Sequence, residues 1–135
     1  MEFISVEEFL KQPKEVQKVI LNWWKPQQMD LYIFDRRNID MVEKSEEEYI
    51  LPYRGWDIWQ EKKDCIPLLT EGQLRKFIED KTKYHLDAMY YVDSYDIRIT
   101  EGLNNIKVYE NLGTNLLQAY WKVACEIAKE SVENE

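Results

Sequence analysis

Between Asn115 and Glu130 the chain carries two adjoining apolar stripes at helical spacing. Leu117, Trp121, Ala124 and Ala128 form one, and Leu116, Tyr120, Val123 and Ile127 form the other. An apolar face this wide predicts a helix packed deeply on a sheet. The stretch before it supplies that sheet. In Tyr95–Thr100 the residues Tyr95, Ile97 and Ile99 alternate with Asp96, Arg98 and Thr100. A period of two marks a half-buried antiparallel strand. Leu86–Val92 and Ile106–Glu110 read as its neighbours, with Asp93-Ser94 and Gly102–Asn105 as turns.

Upstream, the spacing predicts a helix over Thr70–Lys83. Thr70 and Gln73 match a capping box, and Leu74, Phe77 and Ile78 form the buried stripe. Two further helices are expected at the N-terminus. Ser5 and Glu8 match another capping box. Pro13 stops the first helix and suits the opening turn of the second, where Val16, Val19, Ile20 and Trp23 share a face. Leu31–Phe34 and Ile39–Val42 read as a hairpin around Asp35–Asn38. Glu43–Glu48 reads as a charged loop and Tyr49–Leu51 as a short strand. Tyr53–Trp59 is left open between strand and helix, since Trp56 and Ile58 fit one period and Trp56 and Trp59 the other. The order is helices, hairpin, helix, three-stranded meander, helix. It predicts an α+β fold in which an antiparallel sheet of about four to six strands carries helices against it. At 135 residues the chain is expected to form a single domain, 1–135.

Composition narrows the function. With 26 acids against 18 bases, and both halves net acidic, the chain lacks the clustered Lys and Arg that neutralise phosphates. Direct binding to nucleic acid or to an anionic membrane is not expected. Apolar runs stop after a few residues, short of the roughly 20 a membrane span needs. The first ten residues lack the basic start of a signal peptide. The expected location is the cytoplasm, with Cys65 and Cys125 as free thiols.

Catalytic patterns are scarce. His85 is the one histidine, and no nucleophile motif surrounds it. One histidine and two distant cysteines do not make a zinc site. Four glycines form no phosphate-binding loop. Neither cofactor nor metal is therefore expected, and the chain reads as a non-enzyme. Acidic pairs such as Glu79/Asp80 are what so acidic a composition produces by chance. The most unusual local feature is Tyr53, Arg54, Trp56 and Trp59, residue types enriched at binding hot spots. Core burial is their commoner fate. Trp23-Trp24 poses the same choice, and an exposed Trp24 beside Pro26 would be a partner contact.

Three segments, Asn22-Trp23-Trp24-Lys25-Pro26, Ile66–Leu74 continuing into Phe77–Lys81, and Asn115–Ala124, resemble small uncharacterised phage and prophage proteins of Gram-positive bacteria. The likeness covers about half the chain; 35–65 and 84–112 fall outside it. It carries no activity or catalytic residues. It implies a viral accessory protein at work in a bacterial host cell, where small acidic phage proteins often inhibit a host protein, sometimes by imitating nucleic acid.

The leading expectation is thus a binder of a host or phage protein, with a counter-defence inhibitor or acidic nucleic-acid mimic as its sharp form. The mimic needs Glu43, Glu46, Glu47, Glu48, Asp93 and Asp96, with acids of the last helix, to line one surface opposite a nucleic-acid-binding enzyme. The alternative is a small-ligand binder, for instance of a nucleotide, built from Arg54, Arg98 and aromatic rings. A carboxylate-dependent hydrolase ranks third, and needs Asp96 to converge with Asp93 or Asp57.

Overall fold

Ser5 opens the chain's first helix as predicted. Its Oγ accepts the Glu8 N–H at 3.2 Å, satisfying one of the free donors of α1 (Val6–Leu10). Pro13 is the N-cap of α2 (Lys14–Trp23), which buries Val16 and Ile20. The computed structural model describes residues 2–34, 38–45, 48–53, 56–59 and 64–133, with the backbone alone at 38, 44–45, 48–50, 52–53 and 56–59. It divides into two compact units, Ser5–Leu69 and a second made of Met1–Ile4 with Thr70–Glu135.

In the unit Ser5–Leu69, the predicted hairpin forms as β1 (Leu31–Phe34) and β2 (Asn38–Met41), with Leu31 opposite Met41 and Ile33 opposite Ile39. The turn 35–37 lies outside the described residues. β7 (Ile66–Pro67) joins the other side of β1, giving the antiparallel order β2-β1-β7. Two ribbons add strands that the sequence reading lacked. Glu43–Glu48, expected as a loop, contributes β3 (Glu43–Ser45) and the first residue of β4 (Glu48–Ile50). The ambiguous 53–59 stretch resolves as strand, with β5 (Pro52–Tyr53) paired to β6 (Trp56–Trp59). Backbone pairing thus overrides the high charge of one segment and the helical spacing of the other. The core here is Trp24, Tyr32, Val42, Leu51 and Cys65, with Leu21, Trp23 and Phe34 against it.

In the other unit, α3 (Glu71–Thr82) begins at the predicted capping box. The Thr70 N–H donates to Gln73 Oε1 at 2.9 Å, and the Gln73 N–H to Thr70 Oγ1 at 3.4 Å. β8 (His85–Tyr91), β9 (Ser94–Glu101) and β10 (Asn104–Tyr109) form the predicted meander, with β9 central. α4 (Leu116–Glu133) starts after Asn115, whose Oδ1 accepts the Gln118 N–H at 2.9 Å. It buries both predicted stripes except Leu116, which is half-buried. α4 packs on α3 and β9, and α3 on β8, so Leu86, Ile97 and Ile99 are shut in beneath the helices. The α+β class stands. The strands, ten among the described residues, fall into two three-stranded sheets and two ribbons rather than one sheet. No helix among the described residues is long and apolar enough to cross a membrane.

Candidate partner-binding surface

Alternation along the meander decides which residues face outward. On β9, Ile97 and Ile99 turn to the helices, so Asp96, Arg98 and Thr100 take the opposite face. Cross-strand register then aligns His85, Asp87 and Met89 with Thr100, Arg98 and Asp96. Arg98, a sequence candidate, stands at the centre of this face, opposite Asp87 on one side and Val108 on the other. It lies on the strand face turned away from the helices, and Arg54, its expected partner in a ligand pocket, is outside the described residues.

The tip of the β8–β9 hairpin is the surface's most unusual point. Tyr91 pairs with Ser94, leaving Val92-Asp93 as a two-residue loop. The Asp93 N–H donates to the Tyr91 carbonyl at 2.9 Å, closing the turn. Val92 takes φ +64°, a left-handed conformation that its branched β-carbon disfavours. The equivalent place in the β9–β10 loop holds Gly102 at φ +60°, the residue type such a turn calls for. Val92 is nevertheless 82% exposed and Tyr91 67%. Tyr90 stacks edge-on against Tyr95 across the strands, with ring centres 4.9 Å apart.

Beside the tip, Asp93, Asp96 and Glu110 line a shallow depression of about 280 Å³ together with Tyr91, Val92 and Asn111. Its shape is held by the backbone. The Asn111 N–H donates to Asp96 Oδ1 at 3.1 Å, the Leu112 N–H to the Tyr95 carbonyl at 2.9 Å, and the Tyr95 N–H to the Gly113 carbonyl at 2.8 Å. Three carboxylates therefore meet at the edge of an exposed apolar tip. Among the described residues no group of three His, Cys, Asp or Glu side chains is arranged to hold a metal ion.

The other sequence candidates fare differently. Trp24 is not a surface contact: it is 1% exposed, and its Nε1–H donates to Asp30 Oδ2 at 3.1 Å. The same oxygen accepts the Gln27 N–H at 2.9 Å, so Trp24 locks the turn after α2 into the core. Its partly exposed neighbour Trp23 packs on that cluster. Tyr53 sits opposite Trp56 on the β5–β6 ribbon, and Trp59 opposite Pro52. Arg54 lies outside the described residues. Of the proposed acidic surface, Asp93 and Asp96 come together in the depression; Glu43 and Glu48 sit on β3 and β4, and Glu46 and Glu47 lie outside the described residues. His85 is an exposed residue at the start of β8.

Sequence reasoning missed Tyr91, Val92 and Glu110. A signal existed: Met89-Tyr90-Tyr91-Val92 breaks the alternation expected of an edge strand with one solvated face. No family model, curated protein or solved structure matches this chain.

Proposed function

We propose that this protein acts by binding another protein through the outer face and hairpin tip of the β8–β10 meander. The observation that carries the reading is the exposed, conformationally strained Tyr91-Val92 tip bordered by Asp93, Asp96 and Glu110. Most of the exposed large apolar side chains among the described residues fall on this meander, and of these Met89 and Val108 share the outer face with Asp96 and Arg98. Exposed apolar surface rimmed by charge is what protein interfaces use, because apolar contact supplies affinity and the charges supply orientation. Strain held at an exposed turn is likewise typical of sites kept for contact.

The partner has a basic surface with an apolar hollow, and the formal charge of −8 steers its approach. The resemblance to phage accessory proteins makes it a host or phage protein. A nucleic-acid-binding enzyme, inhibited in a counter-defence role, is the sharpest form of this reading. It is supported by three carboxylates in one depression.

The test is comparative affinity capture from infected cells, using the native chain and the double variant Tyr91→Ser/Val92→Asn. Asparagine keeps the left-handed turn, so the variant should melt no lower than the native chain. A protein retained by the native chain, lost with the variant and bound more slowly as salt rises is the expected result. A partner held equally by both, or no specifically held protein at all, refutes the proposal.

A further inference from the structure

The two edges of the β8–β10 meander differ. β10 is interrupted where its pairing with β9 slips between Asn105 and Lys107, and it carries that lysine. A bulge and a lysine are devices that keep an edge strand from pairing further. β8 has neither, nor any proline, and its register with β9 runs unbroken from His85 to Tyr91. No strand among the described residues pairs with its other side.

The phase of the ladder tells which backbone groups of β8 face that open side. The Tyr95 N–H donates to the Gly113 carbonyl at 2.8 Å, and the Tyr95 carbonyl accepts the Leu112 N–H at 2.9 Å, both away from β8. A residue of an antiparallel strand turns its N–H and C=O to the same side, and directly opposed residues exchange both bonds or neither. Tyr90, opposite Tyr95, therefore turns its backbone groups outward. Ala88 and Leu86 share its phase, since the pleat repeats every second residue. The Leu86 carbonyl agrees with this assignment, for it accepts Arg75 Nη2 from α3 at 2.9 Å. Arg75 thus covers one end of the edge, while the N–H and C=O of Ala88 and Tyr90 have no partner among the described residues. A row of unpaired backbone groups is a template for another strand. Met89, Tyr90 and Tyr91 are all exposed, so this part of the edge is accessible.

Side chains beside the edge decide what fits. On the outer face Asp87 and Met89 stand nearest it, with Arg98 and Asp96 opposite them one strand further in. On the inner face stand Ala88 and Tyr90, opposite Ile97 and Tyr95. We propose that an extended segment of the partner protein adds to β8 as a further antiparallel strand, bonded to the Ala88 and Tyr90 backbones, with lysine or arginine beside Asp87 and apolar residues beside Ala88 and Tyr90. Backbone bonds supply the affinity of such a contact and alternate side chains its specificity. A second copy of this chain suits the edge poorly, because it would bring together two chains of net charge −8. Strand addition rests on the partner-binding role proposed above and names the form of the contact.

The probe is the N-acetylated, C-amidated peptide Lys-Val-Lys-Val-Lys-Val-Lys, titrated into the ¹⁵N-labelled chain. Without peptide, the Ala88 and Tyr90 amides should exchange with solvent faster than those of Asp87 and Met89, which face β9. With peptide, saturable shifts should centre on Ala88 and Tyr90, and their exchange should slow. Methylating the valine nitrogens, which face β8 in the antiparallel arrangement, should weaken binding about tenfold, whereas methylating the lysine nitrogens should leave it unchanged. Ala88→Pro removes an outward N–H, where an edge strand accepts proline, and should also weaken binding. The counterpart with glutamate in place of lysine should bind about tenfold more weakly. Absence of saturable shifts at Ala88 and Tyr90 overturns strand addition. So does an equal or reversed response to the two methylation patterns, or equal affinity for the glutamate peptide. Protection of the Ala88 and Tyr90 amides without peptide, the sign of a second copy on the edge, overturns it as well. Each of these leaves the outer face and tip standing, because the capture experiment alone decides whether a partner is bound there.

Discussion

Replacing Val92 by asparagine should stabilise the protein, although it removes an apolar side chain. A non-glycine residue held in the left-handed region costs about 1–2 kcal/mol, and Val92 sits there at φ +64°. Asparagine tolerates that conformation because its short polar side chain can bond locally. Little burial is lost in exchange. Val92 is 82% exposed, so the forfeited transfer energy is about 0.5 kcal/mol at most. The balance favours Val92→Asn by about 1 kcal/mol, seen as a melting temperature about 3 °C higher by calorimetry. Val92→Gly should gain less, because glycine gives back about 0.5–1 kcal/mol in unfolded-state entropy. Leu103 is the internal control. It is fully exposed in the neighbouring hairpin loop but has no positive φ, so Leu103→Asn should leave the melting temperature nearly unchanged. If Val92→Asn lowers stability, or if both asparagine variants raise it equally, the strain argument fails and only surface polarity has been measured.

Other outcomes follow from the remaining geometry. Trp24→Phe removes the donor to Asp30 from a side chain 1% exposed and should cost about 1–2 kcal/mol in chemical denaturation, with Asp30→Ala giving a comparable loss. Thr70→Ala removes the side-chain half of the α3 capping box, leaving the residue-70 N–H on Gln73, and should cost about 1 kcal/mol, whereas Thr70→Ser should cost much less. Burial, with smaller contributions from Asp64 and then Asp40, pushes the Cys65 thiol from 9.0 up to about 12. The folded state therefore resists losing a proton that the unfolded chain gives up more readily. Stability should be intact below about pH 9 and fall as pH rises toward about 12. Tyr32, raised chiefly by burial, adds to the same trend. Cys65→Ala should flatten the alkaline slope of urea midpoints; an unchanged slope would refute the assignment. A disulfide-exchange reagent should modify partly exposed Cys125 in the native protein and reach Cys65 only after unfolding.

Much of the fold was legible in local pattern. The α3 capping box, the Leu74–Phe77–Ile78 stripe, the alternation of Tyr95–Thr100 and the double stripe of α4 are each short-range signals, and each element forms where its pattern lies. Helix caps and periodic burial are decided within a few residues, so sequence alone carries them. Trp24 was not legible in this way. Trp23-Trp24 states that one residue faces inward, but only the Asp30 carboxylate, brought back by the following turn, selects Trp24. Glu43–Glu48 and Tyr53–Trp59 have no decisive period, and pairing with a neighbouring segment makes them strands. The surface proposed for the partner depends still more on distance in sequence. Glu110 reaches the depression lined by Asp93 and Asp96 only through the β9–β10 return. Such convergence arises from strand register and helix docking, which no single stretch of the chain encodes, because each is a compromise among segments that touch only after folding.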